Sequence, residues 1–241
     1  MIDGAQRRLR QRAWAAGLRS ELRRGGCAAE IEIAPGAILS ARPRVRVRDW
    51  EGRGGSTLRV RIGDGAVIGQ VVIEVWGNGE NALEIGSHAE LGDVVLQLQS
   101  GTITIGDRAQ VRSWTVLKSA GELRLGRQVI VSFGSNLHCT ERIELEEMVA
   151  LAERVTVIDS EHVNAGSDEY FVDRPVTTAP VLLGRNAFVA TGSVVDRGVT
   201  LGRNSVVAAN SVVRGGDYDA GWLIGGLPAK PIRALAPNDS G

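Results

Sequence analysis

Apolar residues recur every six positions along residues 183–213, a spacing that fits neither a helix nor an ordinary strand. Leu183, Val189, Val195, Leu201, Val207 and Val213 each open a six, and the fifth place is small or β-branched: Ala187, Ser193, Val199, Ser205 and Ser211. A helix would repeat at 3.6 and a half-buried strand at 2. A period of six predicts a parallel β-helix, in which each turn of the chain stacks on the one before. Three sixes close one triangular coil, so Leu183 and Leu201 are expected one above the other, with the first positions of each six pointing inward. Gly or Ala in second place suits a tight corner, where a side chain has little room.

The same pattern runs upstream. Ile33-Ala34-Pro35-Gly36-Ala37-Ile38 is the first recognisable six, and the charged, Gly-rich stretch Asp49 to Ser56 interrupts the pattern as a loop. It resumes at Ile62, and about eight coils are expected, starting near residues 33, 62, 85, 105, 125, 145, 183 and 201. At a rise of about 4.8 Å per stacked strand, the prism is roughly 40 Å long. From Ile85 to Leu145 the starts are twenty residues apart, two more than three sixes require, which predicts a small bulge at a corner of each coil. The widest break separates coils six and seven: the chain leaves register at Glu161-His162 and returns near Val181. Insertions in solenoids emerge on one face and are often where binding happens.

Ahead of the coils, residues from about Ala5 to Arg24 read as a helix. Trp14, Leu18 and Leu22 lie on one side, and Gly25-Gly26 supplies a stop. The expected organisation is therefore an all-β chain with an N-terminal basic cap (residues 1–30) and a hexapeptide-repeat body (31–216) interrupted by a loop insertion (162–180). A closing segment and tail follow (217–241). The seven arginines of the helix (7, 8, 10, 12, 19, 23 and 24) suit either of two roles. One is a solvated cap on an open β-helix end; the other is a surface that makes weak contact with an anionic membrane.

Composition narrows the function classes. Aromatics are 4% of the chain and glycines number 31, as expected for a thin core filled by aliphatics. The formal net charge is +0, which argues against a dedicated nucleic-acid binder. Cys27 and Cys139 fit no disulfide or metal pattern, so a reduced, cytoplasmic setting is the simpler expectation. No run approaches eighteen apolar residues and no signal peptide opens the chain.

The repeats, together with Ile158-Asp159-Ser160-Glu161-His162 and Gly226-Leu227-Pro228-Ala229-Lys230-Pro231-Ile232-Arg233, resemble the hexapeptide-repeat acyltransferases. The chain looks most like their sugar and polysaccharide O-acetyltransferases. The resemblance implies a left-handed parallel β-helix, a homotrimer, acetyl-CoA as co-substrate, a carbohydrate-type acceptor and a cleft between neighbouring subunits. It also implies that His162 is the catalytic base. Ala190 and Ala208 would lie along the pantetheine arm, Lys230 near the nucleotide phosphates, and Arg214 at a further cofactor-binding place. The Phe188-Val189-Ala190 segment departs from the Trp-Ile-Gly that the family often has there.

The chemistry asks for the same residues. Acyl transfer from a thioester to a hydroxyl needs a base at the hydroxyl and donors for the oxyanion. Of His88, His138 and His162, only the last stands where regular coil gives way to a polar insertion. His88 reads as a solvated corner residue, and His138 as structural or acceptor-binding. Asp159 and Glu161 flank His162 and either could fix its tautomer; Asn136, one coil earlier, could meet an acceptor hydroxyl or simply fill a corner. No metal is expected, because a trimeric zinc carbonic anhydrase needs converging histidines, and gaps of fifty and twenty-four residues separate these. An amino-sugar N-acetyltransferase remains open beside the O-acetyltransferase, as does a non-catalytic β-helix scaffold.

Overall fold

The computed structural model describes residues 4–48, 55–164 and 166–236. Most of the stretch read as a loop (residues 49–54) and the end of the tail (237–241) lie outside the described residues. Among the described residues the chain winds three parallel sheets around one core, with nine strands on the first face, nine parallel strands and one antiparallel on the second, and eight on the third. That makes eight complete coils and a ninth with two sides. No helix among these residues is long and apolar enough to cross a membrane.

The coil starts read from the sequence form a single column. Ile33, Ile62, Ile85, Ile105, Leu125, Leu145, Leu183 and Leu201 are register partners, each beside the next on the first face. Leu39, Ile68, Leu91, Val111, Val131, Leu151, Val189 and Val207 stack likewise on the second. The fifth-place residues Ala187, Ser193, Val199, Ser205 and Ser211 are all buried. Where that residue is serine, its hydroxyl serves the next coil: Ser193 Oγ donates to the Ala208 carbonyl at 3.0 Å and Ser205 Oγ to that of Asp219 at 2.9 Å.

The twenty-residue coils carry no bulge, because pairing between them runs without a register shift. The extra residues instead lengthen the strands on either side of the third corner, Val116–Ser119 and Glu122–Leu125 in one coil and Asn136–Cys139 and Arg142–Leu145 in the next. Each wide coil thereby gains an inward position on the third face. Val47, Val75, Leu98, Ser119 and Cys139 form this added column. Coils seven and eight, with strands of two or three residues, are narrow.

Both ends are closed. The helix Gly4–Arg24 packs on strands of all three faces of the first coil and contributes Trp14, Leu18 and Leu22 to the core. The Gln11 amide lies 3.1, 3.1 and 2.8 Å from the carbonyls of Ala34, Pro35 and Ala37, which have no preceding coil to bond. The body's first strand opens at Cys27, within the segment read as cap, and coil geometry continues past residue 216 to Gly226. Ala229–Ala234 then folds back antiparallel on Trp222–Gly226 and covers that edge of the second face.

A corner glycine and a helix glycine should respond oppositely to an added methyl. A Cβ on Gly106 would sit 2.6 Å from the carbonyl carbon of Gly126 in the next coil, backbone that cannot yield, whereas one on Gly17 meets nothing within 4 Å. Gly106→Ala is expected to lower stability by about 1–3 kcal/mol, and Gly17→Ala to raise it by about 0.5–1 kcal/mol through helix propensity. Urea unfolding midpoints of the two variants check both the sign and the size.

Candidate functional site

The described residues of the insertion form a hairpin. Ser160–His162 pairs antiparallel with Val176–Thr178, with a short 3-10 turn at Phe171–Asp173 between them. The excursion stands in solvent: its polar residues share that exposure with Tyr170, Phe171 and Val172, and none of its described residues joins the main core. His162 is half-buried at the root. Its Nδ1 lies 3.1 Å from the Arg174 carbonyl oxygen, and its ring packs 5.1 Å from that of Phe171. A carbonyl only accepts, so Nδ1 carries the proton and donates it. The lone pair is then on Nε2, which is the tautomer a general base requires.

Arg174 is held in turn. Its guanidinium donates to the carbonyls of Ser167 at 2.6 Å and Glu169 at 3.1 Å and lies over the Phe171 ring. The strand opposite His162 is thus pinned from the far side of the hairpin. Sequence offers no signal for this, since the atom that positions the imidazole is a backbone oxygen.

Neither flanking acid orients His162. Glu161 is ion-paired with Arg197, which ties the hairpin to coil seven. Asp159 is fully buried and accepts from the backbone N–H groups of Thr140, Glu141 and Arg142 at 2.7, 2.8 and 2.8 Å. In the wide coils such corner groups donate to the next coil's corner, as Ala120 N does to Cys139 O. After Asp159 the prism narrows and no matching corner follows. Its carboxylate takes those bonds and ends the added inward column one place beyond Cys139. Beside this charge, and mainly through burial, the Cys139 thiol is pushed up to about 12, which leaves it unreactive.

Asn136 lies at an exposed strand position and outside the left-handed region, so it is no corner residue. His138, two places on, also faces outward, between Lys118 and Ile158 in register. Burial first, and then the charge of Lys118, lower its pKa and favour the neutral ring. His88 is an exposed corner residue at φ 56°.

The residues assigned to the donor form a second group at the second corner. Ala190 and Ala208 occupy the same corner place in coils seven and eight, with Ala190 N bonded to Val207 O and Ala208 N to Ile224 O. Gly225 packs so closely on Ala208 that a Cβ there would lie 3.0 Å from the alanine methyl, and Gly225 is the register partner of Lys230. Lys230 is exposed beside this track. Arg214 does not join it: it sits at the third corner, donating to Asp196 at 3.0 Å. The candidate residues therefore fall in two groups at opposite edges of the third face, His162 and Arg214 along the third corner and Ala190, Ala208 and Lys230 along the second. No group of side chains suited to a metal ion occurs among the described residues.

Residues 180–214 match the family model described as hexapeptide repeat of succinyl-transferase. No curated protein matches the chain. Among solved structures it is similar to AntD, an N-acyltransferase from Bacillus cereus, in complex with dTDP-4-amino-4,6-dideoxyglucose and coenzyme A; identity is 15%, coverage 90% and 89% of the two chains, and TM-score 0.41. The polySia-specific acetyltransferase NeuO gives 15%, 89% and 84%, and 0.42. A maltose O-acetyltransferase from Clostridium difficile 630 gives 16%, 90% and 73%, and 0.36.

Removing the Asp159 carboxylate strands three backbone donors at once. Asp159→Ala is expected to cost about 3–5 kcal/mol, since each buried unpaired group costs about 1–3 kcal/mol and some relaxation follows. Asp159→Asn, which keeps one acceptor oxygen, should cost less. Thermal unfolding of the two variants against the parent gives the order; a neutral Asp159→Ala would remove the carboxylate from its structural role.

Proposed function

We propose that this protein is an acyltransferase that moves an acetyl group from acetyl-CoA to a hydroxyl of a sugar or polysaccharide precursor, with His162 as general base. The observation that carries the reading is the His162–Arg174 contact, which leaves a basic nitrogen free at the root of a polar hairpin on a hexapeptide coil. Nε2 takes the proton of the acceptor hydroxyl as its oxygen attacks the thioester carbon. The tetrahedral intermediate collapses with loss of the CoA thiolate, and the imidazolium returns its proton to that sulfur. Transfer is direct, within one ternary complex, and much of the rate comes from holding the two reactants in line.

The donor binds along the second corner. The small side chains of Ala190 and Ala208 let an extended pantetheine lie against backbone, and the Lys230 ammonium meets the nucleotide phosphates. Because these residues and His162 lie on opposite edges of one face, catalysis requires a second copy, and a cyclic homotrimer supplies each cleft with both edges. Outward-facing valines support this assembly. Val72, Val95, Val116, Val194 and Val212 flank the second corner on the third face, with Phe188, Val206 and Leu223 on the second. In that arrangement Arg214 faces the donor from the neighbour's side.

Three measurements test the reading. His162→Ala should lower kcat by about a hundredfold to ten-thousandfold while CoA affinity is unchanged; near-normal turnover would place the base elsewhere. Lys230→Ala should weaken CoA binding about tenfold with little loss of kcat at saturating donor, and equal CoA affinity in both proteins would release Lys230 from the phosphates. Light scattering should return three times the chain mass, and a monomer at micromolar concentration would exclude the shared cleft. Acetyl-CoA turnover across a panel of hydroxylated and amino sugars identifies the acceptor class.

A further inference from the structure

The chain holds few aromatic residues, and two of them stand exposed together at the second corner. Trp114 is 74% exposed and Phe133 39%, in successive coils, with ring centroids 5.8 Å apart. Trp114 belongs to the corner place that must adopt a left-handed backbone, with φ 64°. Coils five, seven and eight fill that place with Gly134, Gly192 and Asn210, residues that tolerate the conformation, and coil six with Arg154. A tryptophan there is strained by its Cβ and bulky ring. It also contributes nothing to the core. Strain of this kind persists where the side chain is needed for contact.

The place of the pair in the cleft says what it meets. On the donor track proposed above, the nucleotide end lies at Lys230 and the chain passes Ala208 and then Ala190, so the acyl end points toward coil six and below. Past the exposed Glu153 and Arg154 of coil six, that corner presents Phe133 and Trp114 in coils five and four. Arg112 lies over the Phe133 ring at 5.5 Å, and Glu153 accepts from Ser132 Oγ at 2.8 Å beside it. Two exposed aromatic side chains bordered by a guanidinium and a carboxylate fit a pyranose, whose C–H faces are apolar and whose rim carries hydroxyls.

We propose that Trp114 and Phe133 form the acceptor platform, stacking a saccharide ring at the acyl end of the donor track while Arg112 and Glu153 meet its hydroxyls. This rests on the acyltransferase reading, which it deepens by assigning the acceptor's resting place.

A glycan array of neutral, acidic and N-acetylated oligosaccharides, probed with the parent and with Trp114→Gly, tests it. Glycine relieves the backbone strain, so the variant should fold at least as well. Phe133→Ala, at a place with no positive φ, provides a second variant. The parent should be retained on a subset of saccharides, and both variants should lose about thirtyfold or more on those spots, as for an anchoring aromatic. CoA affinity by calorimetry and assembly mass by light scattering should be unchanged. Equal retention of parent and variants, or no retention of the parent on any saccharide, overturns the proposal. So does dissociation of the variants into smaller species, which would make the pair a contact between subunits. If CoA fails to bind any of the three proteins, the donor reading fails, and the saccharide results still decide the platform.

Discussion

Each coil of this prism is held by the backbone hydrogen bonds it makes to the next. Strands of two residues, such as Val189 with its neighbour Phe188, have no independent stability. They exist because Phe188 N reaches Ser205 O and Ala190 N reaches Val207 O, one coil on, while Val189 stacks between Leu151 and Val207. Everything else follows from keeping that ladder intact. Glycines at the corners let backbones approach to contact, small residues inside keep the section triangular, and the ends need partners for bonds with no further coil to receive them. The same physics makes the stability a sum of neighbour terms, so a local fault acts first on the coils beside it.

The hairpin that carries His162 arises where the ladder changes width. The inward column added by the wide coils runs from aliphatic Val47, Val75 and Leu98 through Ser119 and Cys139 to the carboxylate of Asp159, growing polar as it nears its end. A change of section leaves a corner's donors without a following corner, and one carboxylate collects them. The chain is thereby released to leave the prism at Ser160 and return at Val181, and the basic imidazole is set on the excursion.

The repeat was legible because its period is distinctive and its core residues are chemically simple; the column from Ile33 to Leu201 could be named from spacing alone. Width was not. Two extra residues per coil are compatible with a bulge or with longer strands, and only the pairing distinguishes them. The site divides the same way. His162 stands out by its place at the edge of the pattern, and the residues assigned to the donor by resemblance alone. Neither Asp159 nor Glu161 fills the tautomer-fixing role open to it, because adjacency in sequence says little about direction. Asp159 turns inward to backbone, Glu161 turns to Arg197, and the imidazole is held by a carbonyl that every residue possesses. Trp114 carries a signal of its own, a large ring at a place elsewhere filled by Gly134 and Gly192.

A body assembled from stacked coils also acts as a ruler. Places along any one corner are separated by whole multiples of the strand spacing, about 4.8 Å. Phe133 in coil five, Ala190 in coil seven and Ala208 in coil eight are marks on that scale, and the helix at one end and the Ala229–Ala234 strand at the other fix where it starts and stops. Adding or deleting a coil between two marks would change their separation by one step while leaving the local geometry of each untouched. Reach along such a corner is therefore quantised, and it is set by how many coils the chain contains.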